Sequence, residues 1–220
     1  MSDERIHAPG ADESETHDRI LDAAEDLFGT EGFAAASVRD VAARAQTSPG
    51  SINYYFGSKN GLIRAVIKRI GTPLNEARLA RLAELTDRHG DAPIPLRDIL
   101  MSFLEPLFDD RTTRHEAISR LLAQVTVAND PLIGKYWSEI LGPTGNTYID
   151  VLRRALPDLS PDDLFLRYQF FLMATYDSRT FSSWYWAWAK SSFDQDAVSM
   201  TLEERVSLFE SIFLAPGRAA

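Results

Sequence analysis

The sequence contains no cysteine, which excludes disulfide bonds and thiolate metal sites. It also lacks any run of the roughly 18 apolar residues that a membrane-spanning helix requires. The apolar stretch at 164–174 is too short and is interrupted by Arg167 and Gln169. The first fifteen residues are polar and acidic and do not resemble a signal peptide. We therefore expect a cytoplasmic protein that does not contact a membrane.

Signs of catalytic chemistry are equally scarce. The four histidines are scattered, and no two of them have the spacing of metal ligands. The sequence contains neither a glycine-rich phosphate loop nor a nucleophile elbow. The adjacent carboxylates Asp162 and Asp163 are better explained by helix capping than by acid–base catalysis. The sequence therefore predicts no enzymatic activity, no metal and no cofactor.

The net charge of −9 is unevenly distributed along the 220 residues. Residues 1–15 carry −4, residues 16–70 carry +1 with seven basic groups, and the remaining 150 residues carry −6. Electrostatic attraction to phosphate is local, because physiological salt screens charges beyond about 8 Å. The near-neutral segment 16–70 can therefore approach DNA, while the acidic remainder would repel DNA and favour one docking orientation.

Residues 37–59 have the pattern of a helix-turn-helix. Ser37 can cap a first helix, and Asp40 supplies the acidic partner of a capping box. The apolar residues of this helix share one face: Val38, Val41, Ala42 and Ala45. After a tight turn at Gln46 and Thr47, Ser48 can cap a second helix that has Pro49 at its first position.

The second of these helices has a polar, aromatic-rich outer face. Its inward side chains are Ile52 and Phe56, and its outward ones are Ser51, Asn53, Tyr54 and Tyr55. Such a helix suits insertion into the major groove of DNA, although an ordinary helical hairpin would show the same spacing. A helix starting at Thr16 and ending near Gly29 and Gly32 precedes the pair, and a helix after Ser58 follows it.

Three segments, RILDAAEDLFGTEGF, SVRDVAARA and SPGSINYYFGSKNGL, resemble in order and separation the DNA-binding domain of TetR-family transcriptional regulators. The resemblance covers residues 16–70, about a quarter of the chain. Pro49 and Asn53 differ from the residues that the family usually carries at these positions. The resemblance implies an all-α fold with a three-helix helix-turn-helix domain and a larger helical ligand-binding and dimerisation domain. We expect an acidic tail at 1–15 that is disordered or at most an extension of the first helix, the DNA-binding domain at 16–70 and the second domain at 71–220.

The resemblance also implies a mechanism. TetR-like regulators are homodimers that bind a palindromic double-stranded operator, most often as repressors, and release it when a small molecule occupies the C-terminal domain. The last two long helices of each subunit form the dimer interface, which here would be 161–189 and 202–214. The segments INYYFGSKNGL and PLNEARLARLAEL resemble a subgroup associated with fatty acids or acyl-CoA. The alternative is a helical interaction or scaffold protein that has lost DNA binding.

The helix-turn-helix supplies the candidate DNA contacts. Base edges are expected to meet the leading turns of the second helix, where Asn53 could pair with adenine and Gly50 lets the backbone approach the groove. The base-contact set is Ser48, Pro49, Gly50, Ser51 and Asn53. The phosphate contacts are expected from Ser37, Arg39, Lys59 and either Tyr54 or Tyr55.

Beyond residue 71 the sequence predicts helices alone. Gly71 is expected to break the helical pattern, after which Thr72 and Pro73 either restart a helix or kink one. The segment 89–95 is expected to be a linker, and Gly142–Pro143 is expected to end a short helix. The predicted helices are 96–109, 113–129, 144–156, 161 to about 189, and 202–214. The start of the helix at 161 is signalled by Ser160 and Pro161, and the start of the helix at 202 by Thr201 and Glu204.

Ten of the 24 residues between Phe165 and Trp188 are aromatic, and they do not keep to one helix face. Such a helix must be buried on more than one side, as core plus dimer contact or as part of a ligand cavity. We expect an apolar or aromatic ligand among helices 96–188. The expected wall residues are Phe103, Phe108, Trp137, Tyr168 and Tyr176. Arg179 is either the anchor for a ligand carboxylate or the partner of Asp177 in an ion pair.

Overall fold

The structure is a computed structural model that describes residues 11–109, 121, 130–177 and 200–216. Within these residues all regular secondary structure is helical, which confirms the all-α prediction. The helices are α1 Ala11–Glu31, α2 Val38–Arg44, α3 Pro49–Phe56, α4 Lys59–His89, α5 Leu96–Phe108, α6 Pro131–Ala155, α7 Pro161–Asp177 and α8 Leu202–Leu214. No helix in the described part of the chain is long and apolar enough to cross a membrane.

The first core forms where α1, α2, α3 and the first half of α4 pack together, a unit that we call the head. Its fully buried side chains come from every one of these helices: Ile20, Phe28, Val41, Ile52, Leu62 and Val66. The short α2 and α3 are thereby fixed on α1 and α4. This core also reaches α6 through Ile133.

The first helix is longer than predicted. It begins at Ala11, so residues 11–15 extend the first helix, which was the alternative to a disordered tail for this part of the sequence. Acidic side chains near the first turn are favoured by the positive end of the helix. Glu15 also lies 3.6 Å from Arg19, one turn later in the same helix. The helix ends at Glu31, and Gly32 follows with a φ of 91°.

Of the two alternatives at Gly71, the helix break with a restart at Thr72–Pro73 is wrong, because α4 continues through Gly71 and Pro73 to His89. The glycine permits a close helix contact instead of ending the helix. A Cβ added to Gly71 would lie only 2.9 Å from Cγ2 of Ile140 on α6. The first half of α4 therefore packs in the head, and the second half of the same helix packs in the C-terminal part of the molecule.

The predicted end at Gly142–Pro143 is also wrong, because α6 runs without interruption from Pro131 to Ala155. Asp130 caps its start by accepting a hydrogen bond from the Leu132 N–H at 2.8 Å. Ile133 before the glycine, and Tyr148 and Leu152 after it, are all buried. Packing on both sides thus outweighs the low helix propensity of Gly-Pro.

A second core lies between α4, α5, α6, α7 and α8, and we call this unit the body. Its largest buried side chains are Phe103, Tyr148, Tyr168, Phe171, Phe209 and Phe213. The Ser160 start signal and the Thr201–Glu204 capping box are confirmed, and the predicted linker begins one residue later than expected, since His89 still belongs to α4. The predicted helix 113–129, apart from the helical Leu121, and the part of 161–189 after residue 177 lie outside the described residues.

Candidate nucleic-acid interface and ligand cavity

Local hydrogen bonds cap the N-terminus of α2. The Asp40 N–H donates to Ser37 Oγ at 3.2 Å, and the Ser37 N–H donates to Asp40 Oδ2 at 3.0 Å. This is the predicted capping box. The hydrogen bonds from the Ser37 side chain and backbone lower the pKa of Asp40 below its ordinary value.

The turn between α2 and α3 depends on Gln46. Its φ is +53°, the left-handed region that glycine adopts most easily, and it is the only non-glycine residue with positive φ in the described part of the chain. The Thr47 N–H donates to the Ala42 carbonyl at 2.9 Å and thus ends α2. The sequence predicted a turn here but not the unusual backbone of Gln46.

The second helix of the pair presents the predicted polar face. Ser48 caps α3 by accepting a hydrogen bond from the Ser51 N–H at 3.2 Å, and Pro49 occupies the first helical position. Gly50 and Asn53 are exposed, as are Ser48 and Pro49. Tyr54 is 73% exposed, whereas Ser51 and Tyr55 are half-buried. Tyr55 packs edge-on against the ring of Tyr54, with centroids 5.0 Å apart.

Tyr55 and Lys59 are therefore more constrained than the other candidate DNA contacts. Tyr55 packs on the head core and also lies against His17. The Lys59 Nζ donates to the Ala34 carbonyl at 3.1 Å. Because an ammonium group has three donors, this bond leaves two N–H groups of Lys59 for other partners.

Most basic groups of the head are already paired. The head residues with a carboxylate partner are Arg19, Arg44, Arg64 and Arg69. Within the described residues, Arg39 and Lys68 have no ion pair, and both are exposed. Arg39 in the first turn of α2 is thus the predicted phosphate contact with the fewest competing interactions.

A cavity of about 470 Å³ lies in the body between α4, α5, α6 and α7. This volume is within the usual range of small-molecule sites. Its wall is mainly apolar and consists of Asn75, Arg78, Phe103, Gly134, Trp137, Ser138, Leu141, Gly142, Thr144, Gly145, Asn146, Ile149, Phe165, Tyr168, Gln169, Leu172 and Met173.

Three of the predicted wall residues, Phe103, Trp137 and Tyr168, line this cavity. Phe108 does not line it, because this side chain packs between the two cores and lies under the Arg205 guanidinium at 5.5 Å. The side chain of Tyr176, as well as Arg179, lies outside the described residues.

Two buried polar residues of the wall were missed by the sequence analysis. Arg78 is only 1% exposed, donates from Nε to the Phe103 carbonyl at 2.9 Å and stacks on the Phe103 ring at 3.6 Å. Asn75 donates from Nδ2 to the Ile140 carbonyl at 2.8 Å. Both residues occur on the helix face that also carries Leu74 and Leu82, and polar residues on an apolar stripe are the signal that could have identified them.

Large apolar side chains of α7 and α8 are exposed in the single chain. On α7, Phe170 and Met173 are 56% and 59% exposed, and on α8, Leu208 and Leu214 are 49% and 65% exposed. Exposed apolar side chains gathered on neighbouring elements are typical of protein interfaces. These two helices are the ones expected at the dimer interface.

Two family models match this chain. The model described as bacterial regulatory proteins of the tetR family matches residues 20–66, and the model of the tetracyclin repressor-like C-terminal domain matches residues 101–200. The chain belongs to the TetR family. The first match lies within the head, and the second spans most of α5 and all of α6 and α7, which supply three walls of the cavity.

Named relatives match this TetR-family chain over part of its length. The HTH-type transcriptional repressor Rv3405c of Mycobacterium tuberculosis is 42% identical over 76 residues, which are 32% of this chain and 40% of that protein. The HTH-type transcriptional regulator BetI of Cronobacter sakazakii is 31% identical over 104 residues, 47% of this chain and 48% of that protein. The chain thus spans less than half the length of these curated relatives.

Solved structures extend the likeness of the fold to nearly the whole chain. A transcriptional regulator from Pseudomonas aeruginosa PAO1 matches with a TM-score of 0.60 at 18% identity, covering 95% of this chain and 92% of that one. HlyIIR, a hemolysin II transcriptional regulator, matches with a TM-score of 0.60 at 15% identity, covering 89% and 97%.

Proposed function

We propose that this protein is a ligand-responsive transcriptional regulator that binds a palindromic operator as a homodimer in the cytoplasm. It acts as a repressor, and a small apolar or aromatic effector in the body cavity releases it from DNA. One observation carries the proposal. The single helix α4 has Leu62 and Val66 in the head core and Asn75 and Arg78 in the cavity wall. Membership in a family of regulators points away from an enzymatic role.

The exposed face of α3 supports DNA binding. A Cβ on Gly50 would meet only Ser48 Oγ at 3.5 Å, an ordinary contact, so packing within the protein does not require glycine. Close approach of the α3 backbone to a groove gives glycine a use at this position. Asn53 is exposed on the same helix and can bind adenine through two hydrogen bonds.

A dimer supplies the second recognition helix. Two such helices must lie roughly 34–36 Å apart to enter successive major grooves on one face of DNA. The exposed apolar side chains on α7 and α8 support an interface through 161–189 and 202–214. A tilt of α4 would change the separation of the two heads, and a ligand drives this tilt only if it binds the two states with different affinity.

The first experiment tests DNA binding itself. The intact protein is used to select duplexes from a random library, and binding is then measured by fluorescence anisotropy. We expect an inverted repeat with half-sites one helical turn apart. Asn53→Ala should weaken binding to the selected duplex by about 1–3 kcal/mol and relax the preference at one base pair per half-site. Equal loss on selected and random duplexes would exclude base recognition by Asn53.

A second measurement tests the phosphate contacts. Arg39→Ala and Lys59→Ala should weaken binding to all duplexes similarly, and each should reduce the slope of log affinity against log salt by about 0.9. Arg153→Ala is the matched control, because Arg153 is an exposed arginine at the far end of α6. Failure of the folded dimer to bind any duplex would favour the alternative function, a helical scaffold that has lost DNA binding.

The third measurement tests the effector. Fatty acids, acyl-CoA and small aromatic compounds are titrated against the protein–operator complex while tryptophan fluorescence is recorded, since Trp137 lines the cavity. An effector should quench the fluorescence and lower the affinity for DNA together. Quenching at unchanged DNA affinity would show that the cavity does not control DNA release.

A further inference from the structure

Asn75 combines burial, a fixed orientation and an unused hydrogen-bond acceptor. The residue is 8% exposed, and its Nδ2 donates to the Ile140 carbonyl at 2.8 Å. Turning the amide over would place its oxygen against that carbonyl, so the positions of Nδ2 and Oδ1 are fixed. Oδ1 is buried and accepts no hydrogen bond from any described residue. A buried polar group is normally paired, so this oxygen calls for an explanation.

The position of Asn75 connects the cavity with the contact between α4 and α6. Asn75 lines the cavity, as do Ser138 and Leu141 on either side of Ile140. One turn earlier on α4, Gly71 packs directly against Ile140. The same pair of helices is joined nearer the head by Arg64 and Glu139, whose charged groups lie 3.1 Å apart.

We propose that Asn75 determines the class of effector. The effector is a largely apolar molecule that carries a hydroxyl or N–H group, and this group donates a hydrogen bond to Asn75 Oδ1. The inference rests on the proposed function, because it assigns the ligand chemistry of the same cavity. Other polar groups of the wall, such as Ser138 and Tyr168, have hydroxyls that both donate and accept. Asn75 Oδ1 only accepts, and it therefore selects for a donor.

The same hydrogen bond links the binding of a ligand in the cavity to the position of the head. Because Oδ1 is buried at the contact between α4 and α6, a ligand donor reaches it when the two helices separate slightly at that point. The hydrogen bond is then made only in the shifted state, which gives the ligand the difference in affinity that a switch requires. The shift is carried to the recognition helix by α4, which is continuous from Lys59 to His89.

Three probes of nearly equal shape separate donor recognition from apolar burial. They are para-phenylphenol, which donates and accepts, para-methoxybiphenyl, which only accepts, and biphenyl, which does neither. Their affinities for the full-length protein are measured by tryptophan quenching. We expect para-phenylphenol to bind about tenfold or more tightly than para-methoxybiphenyl, since an unmatched buried polar group is costly. Equal affinities for these two, or no binding of any of the three, would overturn the inference.

Substitution of Asn75 locates the effect. Asn75→Ala should reduce the affinity ratio of the phenol to the methoxy compound to about one, and Asn75→Leu, which keeps the volume, should do the same. Asn60→Ala is the matched control, because Asn60 is an exposed asparagine on the same helix and outside the cavity. A ratio that persists in either folded Asn75 variant would contradict the role of Asn75. Thermal melts by circular dichroism identify variants that do not fold. If neither Asn75 variant folds, the ratio of the phenol and methoxy affinities of the wild-type protein still tests the inference.

DNA binding is measured on the same samples without probe. A protein that binds its selected operator but shows no preference for the donor refutes the inference about Asn75 and leaves the proposed function intact. A protein that does not bind DNA refutes the proposed function, whatever the probe affinities are. We expect operator affinity to fall with para-phenylphenol and not with para-methoxybiphenyl at equal occupancy.

Discussion

The hydrogen bonds that shape the two short helices of the head and those that hold the cavity of the body span very different distances along the chain. In the head, the bonds that shape α2 and α3 join residues three positions apart, as in Asp40 to Ser37 and Ser51 to Ser48. In the body, Arg78 bonds to Phe103, 25 positions away, and Tyr148 donates to the Arg78 carbonyl, 70 positions away.

The contrast corresponds to two tasks. A surface that meets DNA needs short helices whose ends are satisfied locally, so that the outer polar groups remain available to bases and phosphates. A cavity needs helices held apart at fixed distances, and buried polar contacts between distant segments do this with defined geometry. The body should therefore be sensitive to the loss of single long-range partners, whereas the head should respond only modestly to single local changes.

The largest expected effect is at Arg78. Arg78→Ala removes a fully buried side chain, its hydrogen bond to the Phe103 carbonyl and its stacking on the Phe103 ring. We expect a loss of about 3–5 kcal/mol in the free energy of unfolding, measured by urea denaturation. Arg81→Ala is the control, because Arg81 pairs with Glu105 at a more exposed position and should cost below about 1 kcal/mol. Equal losses in the two variants would contradict the special role of buried long-range contacts.

The predictability of each region from sequence follows the same division. Both capping boxes and the start of α3 were predicted, because a cap is encoded by residues within one turn of each other. The breaks at Gly71 and Gly142 were predicted wrongly, because close packing on Ile140 and burial of Tyr148 are set by segments far away in the sequence. Asn75 and Arg78 stand out in the sequence only as polar residues on an apolar stripe, and their partners, the carbonyls of Ile140 and Phe103, are set by distant segments.

The next largest effect is expected where α7 meets the end of α8. The sequence showed Arg167 only as an interruption of an apolar stretch. In the structure its guanidinium donates to the carbonyls of Ile212, Phe213, Ala215 and Pro216 at 2.6–3.1 Å. We expect Arg167→Ala to lower the free energy of unfolding by about 2–4 kcal/mol, because these charged hydrogen bonds satisfy carbonyls at and just beyond the end of α8.

Arg167→Lys distinguishes geometry from charge at this site. A lysine keeps the positive charge but lacks the planar fork that reaches several carbonyls at once. We therefore expect it to recover less than half of the lost stability in urea denaturation. Full recovery would show that charge alone holds α7 to α8, and the contrast with the locally closed head would then be weaker.

The two capping boxes compare one local motif in the two regions. Ser37→Ala in the head and Thr201→Ala in the body should each cost about 1 kcal/mol, measured by thermal melts. A cap acts within its own helix turn, so similar losses are expected despite the different surroundings. A loss at Thr201 several times that at Ser37 would mean that the body amplifies even local changes.

The pH dependence of these variants has a defined sign. Hydrogen bonds from Ser37 lower the pKa of Asp40, and those from Thr201 lower the pKa of Glu204. A carboxylate whose pKa is lower in the folded state contributes stability above its unfolded pKa of about 4, and this contribution is lost as the pH falls through the folded pKa. The difference between the wild type and each alanine variant should therefore shrink below about pH 4. A constant difference down to about pH 2 would rule out the carboxylate as its source.

The smallest expected effect has the opposite sign and concerns the backbone of Gln46. With a φ of +53°, Gln46 occupies a region that costs a side-chain-bearing residue about 1 kcal/mol, while glycine enters it freely. Gln46→Gly should raise the free energy of unfolding by about 0.5–1 kcal/mol, after allowance for the greater freedom of glycine in the unfolded chain. Ala43→Gly, an exposed position within α2, should lower it by a similar amount. Both variants are measured by urea denaturation. The same change to glycine is thus expected to stabilise a left-handed turn and to destabilise a helix only three residues away. A lower free energy of unfolding in both variants would show that the turn geometry of Gln46 is not a source of strain in the head.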